Sequence, residues 1–268
     1  MKKLFFLIAT LLFLGQLTYG QDQPITDTTN SAEKTPKKTL VSSVNMVKMN
    51  LLNLPMRNYS FQYERVLSKR LSVALGYRTM PNGGIPYLST IESLANITDP
   101  DVLDAVRSVQ VKNVAITPEL RIYLGKKGYG RGFYVAPYYR YLDMNFKSSS
   151  AVEVTFDDKS TRDVNVSAQL KLHNIGMMLG AQWMLSKYIV LDWWIIGGQV
   201  GFHQAELKGV PTTDFSQEQL DEIQRKIQVN FKNLGQTSLI QSNNVSINTK
   251  AFIPATGLRT GLCLGVRF

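Results

Sequence analysis

The stretch "ERVLSKRLSVALGYR", Glu64 to Arg78, sets Leu-Ser-Lys between two runs that alternate apolar and polar residues, and "QWMLSKYIVLDWWII", Gln182 to Ile196, repeats the arrangement. From Leu71 onward, Leu71, Val73, Leu75 and Tyr77 fall on one face of an extended chain, while Ser72, Ala74, Gly76 and Arg78 fall on the other. If Leu67 pairs with Leu71 around residues 68–70, Tyr63 faces Leu75 and Phe61 faces Tyr77, so all the apolar residues share a side. Pairing Leu67 with Arg70 would invert one strand, because a slip of one residue moves every side chain to the other face. The second copy behaves identically, with Leu185 opposite Ile189 and Trp183 opposite Leu191. Both stretches therefore read as tight β-hairpins.

The same period of two continues along the chain. It runs through Tyr59, Phe61, Tyr63; Val114, Ile116, Pro118, Leu120, Ile122; Phe133, Val135, Pro137, Tyr139, Tyr141; Ile175, Met177, Leu179, Ala181, Trp183; Ile189, Leu191, Trp193, Ile195; and Leu258, Thr260, Leu262, Leu264, Val266, Phe268. With the run 41–52, eight strands are expected. Tight joins at 67–71, 124–132 and 185–189 alternate with long excursions at 83–110, 147–168 and 205–250, only 53–58 being short on the long-loop side. Short turns at one end and long loops at the other is the layout of a membrane barrel.

Alternation does not say which face looks out, and a soluble ligand-binding barrel would put the apolar face inside. The polar face decides. It carries Glu64, Arg78, Glu119, Arg121, Arg140, Asp192, Arg259 and Arg267 among Ala74, Gly76, Ala136, Gly176, Gly180, Gly198, Gly261 and Gly265. Strand glycines suit the crowded inside of a narrow barrel, where charges of both signs pair across the lumen. The apolar face ends in Trp183 and Tyr188 near one set of turns and Tyr59, Tyr77 and Tyr141 at the other, as interfacial girdles would. The expected fold is all-β: an eight-stranded antiparallel up-and-down transmembrane barrel with short periplasmic turns and long, partly helical extracellular loops. Eight strands enclose a lumen that side chains fill, Trp194 among them, which argues against a continuous channel.

Residues 1–20 join Lys2 and Lys3 to a short apolar run and small residues, the layout of a signal peptide. Residues 21–39 contain almost nothing to bury and read as a flexible periplasmic leader, leaving 40–268 as the barrel. Removing Lys2 and Lys3 takes 30 basic residues to 28 against 20 acidic ones, a charge of +8. Cys263, the single cysteine, has no partner for an internal disulfide. No run approaches 18 apolar residues after the signal segment, which excludes a spanning helix. The cluster Lys126, Lys127 and Arg131 lies in one short turn, where anionic headgroups would attract it. No zinc-finger, helix-turn-helix or G-x-x-x-x-G-K pattern occurs, so no nucleic acid, metal or cofactor is expected.

"VKMNLLNLPMRNYSFQYERVLSKRLSVALGYR", Val47 to Arg78, resembles the opening of a Bacteroidetes family of outer-membrane β-barrels, similar in architecture to the small OmpA/OmpX-type barrels. The closing "GLRTGLCLGVRF" resembles the C-terminal strand of outer-membrane proteins generally. The resemblance implies the outer membrane of a Gram-negative bacterium, membrane lipid and the barrel-assembly machinery as partners, and Phe268 as part of the assembly signal. It implies no catalytic residues.

The excursions carry helices. Ser216 with Gln219 forms a capping box, Phe215 and Leu220 stand at staple spacing, Leu220, Ile223, Ile227, Phe231 and Leu234 make one apolar face, and Gly235 stands where the helix would stop. Asp99 and Pro100 open a shorter helix with Val102, Leu103, Val106 and Val109. These faces are expected to pack on each other over the barrel mouth, and the loops 83–110, 147–168 and 205–250 are the surface for an extracellular ligand or protein partner. His173 and His203 match no catalytic spacing and fall by parity on the lipid side unless a bulge intervenes. The expected role is structural or surface-interacting and non-catalytic; the alternatives are a lipid-modifying enzyme of the outer membrane or a barrel that binds a small molecule or lipid.

Overall fold

The computed structural model describes residues 44–96, 100–231, 236–241 and 243–268. The expected signal peptide, the leader and the start of the first strand at 41 lie outside them. The elements are β1 (Asn45–Asn50), β2 (Tyr59–Val66), β3 (Leu71–Gly84), α1 (Leu88–Leu94), α2 (Pro100–Arg107), β4 (Val109–Tyr123), β5 (Gly132–Ser148), β6 (Val152–Thr155), β7 (Thr161–Met184), β8 (Ile189–Pro211), α3 (Gln217–Phe231), β9 (Gln236–Gln241) and β10 (Asn244–Arg267). Neighbours pair antiparallel in the order β1-β2-β3-β4-β5-β7-β8-β10, and β1 also pairs β10. That pairing closes an eight-stranded barrel, sealed by Asn45 N–H to Phe268 O at 3.0 Å and Phe268 N–H to Asn45 O at 2.9 Å. The remaining two strands, β6 on β7 and β9 on β10, widen the sheet beyond the barrel. Among the described residues no helix is long and apolar enough to cross a bilayer, so any crossing is made by strands.

The twin hairpins form in the expected register: Tyr63 faces Leu75, Phe61 faces Tyr77 and Trp183 faces Leu191. Leu67 and Leu185 donate their N–H groups to Leu71 O and Ile189 O at 2.9 and 3.0 Å. The shared serine has a local reason to be there. Ser186 Oγ accepts from the N–H groups of Tyr188 and Ile189 at 3.2 and 3.1 Å, and Ser68 Oγ lies 3.4 Å from Arg70 N, so the hydroxyl occupies backbone donors that the reversal leaves open.

The strands rise further at the long-loop end than their apolar runs suggest. β7 and β8 stay paired up to Val164 and Pro211, which shortens the expected excursions at 147–168 and 205–250. Along this rise the wall turns inside out. On β4 the inward positions are Val109, Val111, Asn113, Ala115, Thr117, Glu119, Arg121 and Tyr123, while the outward ones are Gln110, Lys112, Val114, Ile116, Pro118, Leu120 and Ile122. On β5 the inward Leu142 and Phe146 lie beyond Arg140, and the outward Asp143, Asn145 and Lys147 lie beyond Tyr141. Below this level apolar residues face out; above it they face in.

The upper interior is an apolar cluster of Met80, Val109, Val111, Leu142, Phe146, Leu170 and Leu172, closed by Val106 of α2 and by Leu88 of α1. Helix α3 packs elsewhere. Its capping box forms, with Gln219 N–H donating to Ser216 Oγ at 3.3 Å and Ser216 N–H to Gln219 Oε1 at 3.1 Å. Leu220 and Ile223 then sit with Phe215 on Val154, Phe156, Val164 and Val166 of the β6–β7 hairpin. The expectation that the loop helices pack on each other is corrected: each lies on strands, because the lengthened sheet supplies apolar surface to both. The helix ends at Phe231, and the expected stop at Gly235 lies outside the described residues.

Candidate functional site

Inside the belt, nearer the short turns, three cations meet three carboxylates. Lys48 Nζ donates to Glu64 at 2.5 Å, Asp192 at 2.6 Å and Gln182 at 2.8 Å. Arg121 donates through Nη1 to Asp192 at 2.7 Å and Glu64 at 3.0 Å, and through Nη2 to Gln62 at 2.7 Å and Glu119 at 3.1 Å. Arg259 Nη2 donates to the other oxygen of Glu119. Tyr123 and Tyr134 hydroxyls close the network onto Glu64 and Asp192 at 2.6 and 2.7 Å, and Trp194 Nε1–H reaches Asp192 at 3.2 Å. Aromatic faces cover the cations: Arg121 lies 4.5 Å from the Tyr134 centroid, and Arg259 lies 4.2 Å from Trp194 and 4.9 Å from Tyr138. Opposite charges at these distances in a water-poor interior need each other, since desolvation costs each ion several kcal/mol when unpaired.

The wall is shaped for these rings. Tyr134 stands directly across from Gly180 and Tyr138 across from Gly176, and a side-chain carbon built at either glycine would overlap the facing ring. At Gly76 it would meet only ordinary contacts, with Thr117 O at 3.5 Å. Gly180→Ala is therefore expected to displace Tyr134 from Asp192 and cost about 2 kcal/mol, the scale of a lost bond to a charged acceptor, while Gly76→Ala is nearly silent; denaturant midpoints of the two variants in lipid vesicles check this.

Of the residues expected on the polar face, Glu64, Glu119, Arg121, Asp192 and Arg259 come together here. Arg140 and Arg78 also point inward but one level up, where Arg140 Nε donates to Thr117 Oγ1 at 3.3 Å. Arg267 stands apart: paired with Met46 at the short-turn rim and half-exposed, it does not join the network, because the strand ends there. Lys48 belongs to the network and was absent from the expected set. Its parity with Met46 and Asn50, opposite to Val47, Met49 and Leu51, is the sequence signal that points it inward.

A β-bulge decides two further positions, overturning the expectation for Gly198 and meeting the exception made for His203. Leu179 pairs with Ile196 but Gly180 pairs with Trp194, so Ile195 is an extra residue in β8 and parity flips above it. Gly198 consequently faces outward with open space around it, and not into the lumen. His203 moves to the inward side, half-buried. His173, on unbulged β7, does face outward; its Nδ1 lies 2.7 Å from the Tyr139 hydroxyl and its ring 5.1 Å from Tyr141. Among the described residues no three His, Cys, Asp or Glu side chains come together as a metal site.

An ionic, hydrogen-bonded interior inside an apolar exterior defines a membrane-spanning barrel. No protein-family model matches the chain, and no curated protein matches it. Among solved structures it is similar to a major outer membrane protein from Thermus thermophilus, at 13% identity over 85% of this chain and 100% of that one, with a TM-score of 0.37. It is also similar to Acinetobacter baumannii CarO (15%, 87% and 99%, TM-score 0.32) and CarO2 (14%, 86% and 99%, TM-score 0.33).

Proposed function

We propose that this chain is a non-catalytic outer-membrane barrel of a Gram-negative bacterium that holds a rigid platform outside the cell for surface interaction. The observation that carries the reading is the inversion of the wall. On β4 the apolar outward run from Val114 to Ile122 covers nine residues, about 26 Å of strand and roughly 20 Å of height once tilted, which suits the hydrocarbon layer. Above it the sheet is apolar inside and polar outside, as a wall standing in water must be. A soluble barrel has no cause to exchange its faces at one level.

The lumen is filled twice among the described residues, by the ionic network below and the apolar cluster above, which supports a wall and display element over a channel. The lengthened sheet with α3 docked on it is the platform, and its partner is an extracellular ligand or protein. Residues 1–20 act in export, and Phe268, whose backbone closes the barrel, serves the assembly machinery. This reading is also favoured by the likeness of residues 47–78 to the Bacteroidetes barrels.

Orientation is tested by cysteines at exposed positions of the two ends, with the native Cys263 buried and silent. Ser149→Cys is expected to react with an impermeant maleimide on intact cells, and Ser186→Cys only after the envelope is opened. Labelling of Ser186→Cys alone would invert the orientation.

A further inference from the structure

The six charges of the lower network cancel, and the inward positions next above it carry two more cations with no carboxylate of their own. Arg140 faces the lumen beside Thr117, and Arg78 faces it across from Ala115 at the lower edge of the apolar cluster. Each lies close enough to Arg259, and Arg140 close enough to Arg78, to repel it. Glu119 is the acid nearest them, and both of its oxygens are already held, one by Arg259 and one by Arg121. Among the described residues, Arg78 Nε and Arg259 Nε and Nη1 are buried with no acceptor. Arg259 is 4% exposed, and Arg78 is half-buried with its Nε enclosed.

Three guanidinium groups on adjacent levels of a water-poor lumen, with open donors and, among the described residues, two positive charges beyond those the carboxylates cancel, form a site for an anion. We propose that Arg78, Arg140 and Arg259 bind a small oxyanion, of the phosphate, sulfate or carboxylate class, inside the barrel between its two plugs. Planar forked donors favour oxygens in pairs over a spherical ion, and Thr117 supplies a hydroxyl beside Arg140. Lipid headgroups lie outside the wall and do not reach these levels.

The test uses the full mature barrel folded in an uncharged detergent, with inorganic phosphate as the probe and sodium chloride at matched ionic strength as the reference. Phosphate is expected to stabilise the wild type saturably, raising the folded-to-unfolded ratio about 100-fold at 100 times its Kd. Arg78→Gln with Arg140→Gln should abolish that response and, in phosphate-free buffer, raise the melting temperature by relieving repulsion. Lys112→Gln, on the outer wall, should leave the response intact. Equal effects of phosphate and chloride on the wild type would overturn the proposal without reference to any variant. So would a double variant that keeps the phosphate response, or a response to phosphatidylglycerol that depends on Arg78 and Arg140.

Discussion

Arg121→Met is expected to destabilise the barrel by about 3–5 kcal/mol, because removing one partner of a buried ionic network leaves the others uncompensated. Arg121 is fully buried and bonded to all three carboxylates of the network. Without it, Glu64, Glu119 and Asp192 share only Lys48 and Arg259. The cost should fall when Asp192→Asn is added, since two cations then face two carboxylates, so the double variant should lose clearly less than the sum of the singles. Arg65→Met, exposed on the outward side of β2 near the short turns, should change stability by less than about 0.5 kcal/mol. Urea unfolding of the vesicle-inserted protein reads all four.

Leu75→Arg is expected to cost about 2–4 kcal/mol in lipid, the depth-dependent penalty for a charge on the hydrocarbon face of a barrel. Leu75 is 52% exposed at the middle of the apolar belt, level with Pro118 of β4 and Tyr63 of β2. A comparable change on the same wall above the belt, Gln110→Arg, should be close to neutral because that position lies on the polar outer face beside Asn82. Equal costs at the two positions would mean that the exterior meets a single medium from end to end.

The hairpin register and the count of barrel strands were legible because alternation and the repeated Leu-Ser-Lys turn fix them locally. The inversion of the wall was also written in the sequence, but as a slip of phase that lists of apolar runs conceal. On β4 the apolar residues sit at odd positions, Val109 and Val111, and then at even ones from Val114 to Ile122; on β7 they change from Val164, Val166 and Leu170 to Ile175, Met177 and Leu179. The bulge at Ile195 left no comparable mark: "WWIIGG" reads smoothly in either parity, and only the pairing of Trp194 with both Gly180 and Gly261 reveals the extra residue. Lys48 escaped because the first strand is short, so that one lysine among methionines and asparagines gives a faint pattern. The docking of α3 was beyond sequence reasoning for a different reason: an amphipathic face shows that a helix must be covered, not by which surface.

The claim on which the rest depends is that the outer face of the belt meets lipid while the inner face does not, and adjacent tryptophans on β8 test it in one protein. Trp193 points outward at 40% exposure and Trp194 inward at 3%. With the third tryptophan, Trp183, replaced by Phe, and either Trp193 or Trp194 replaced likewise, each remaining ring reports its own face. In vesicles carrying brominated acyl chains, emission from the Trp193 protein should be strongly quenched, while that from the Trp194 protein stays as it is in unbrominated lipid. Quenching of Trp194 with Trp193 unaffected would contradict the membrane barrel.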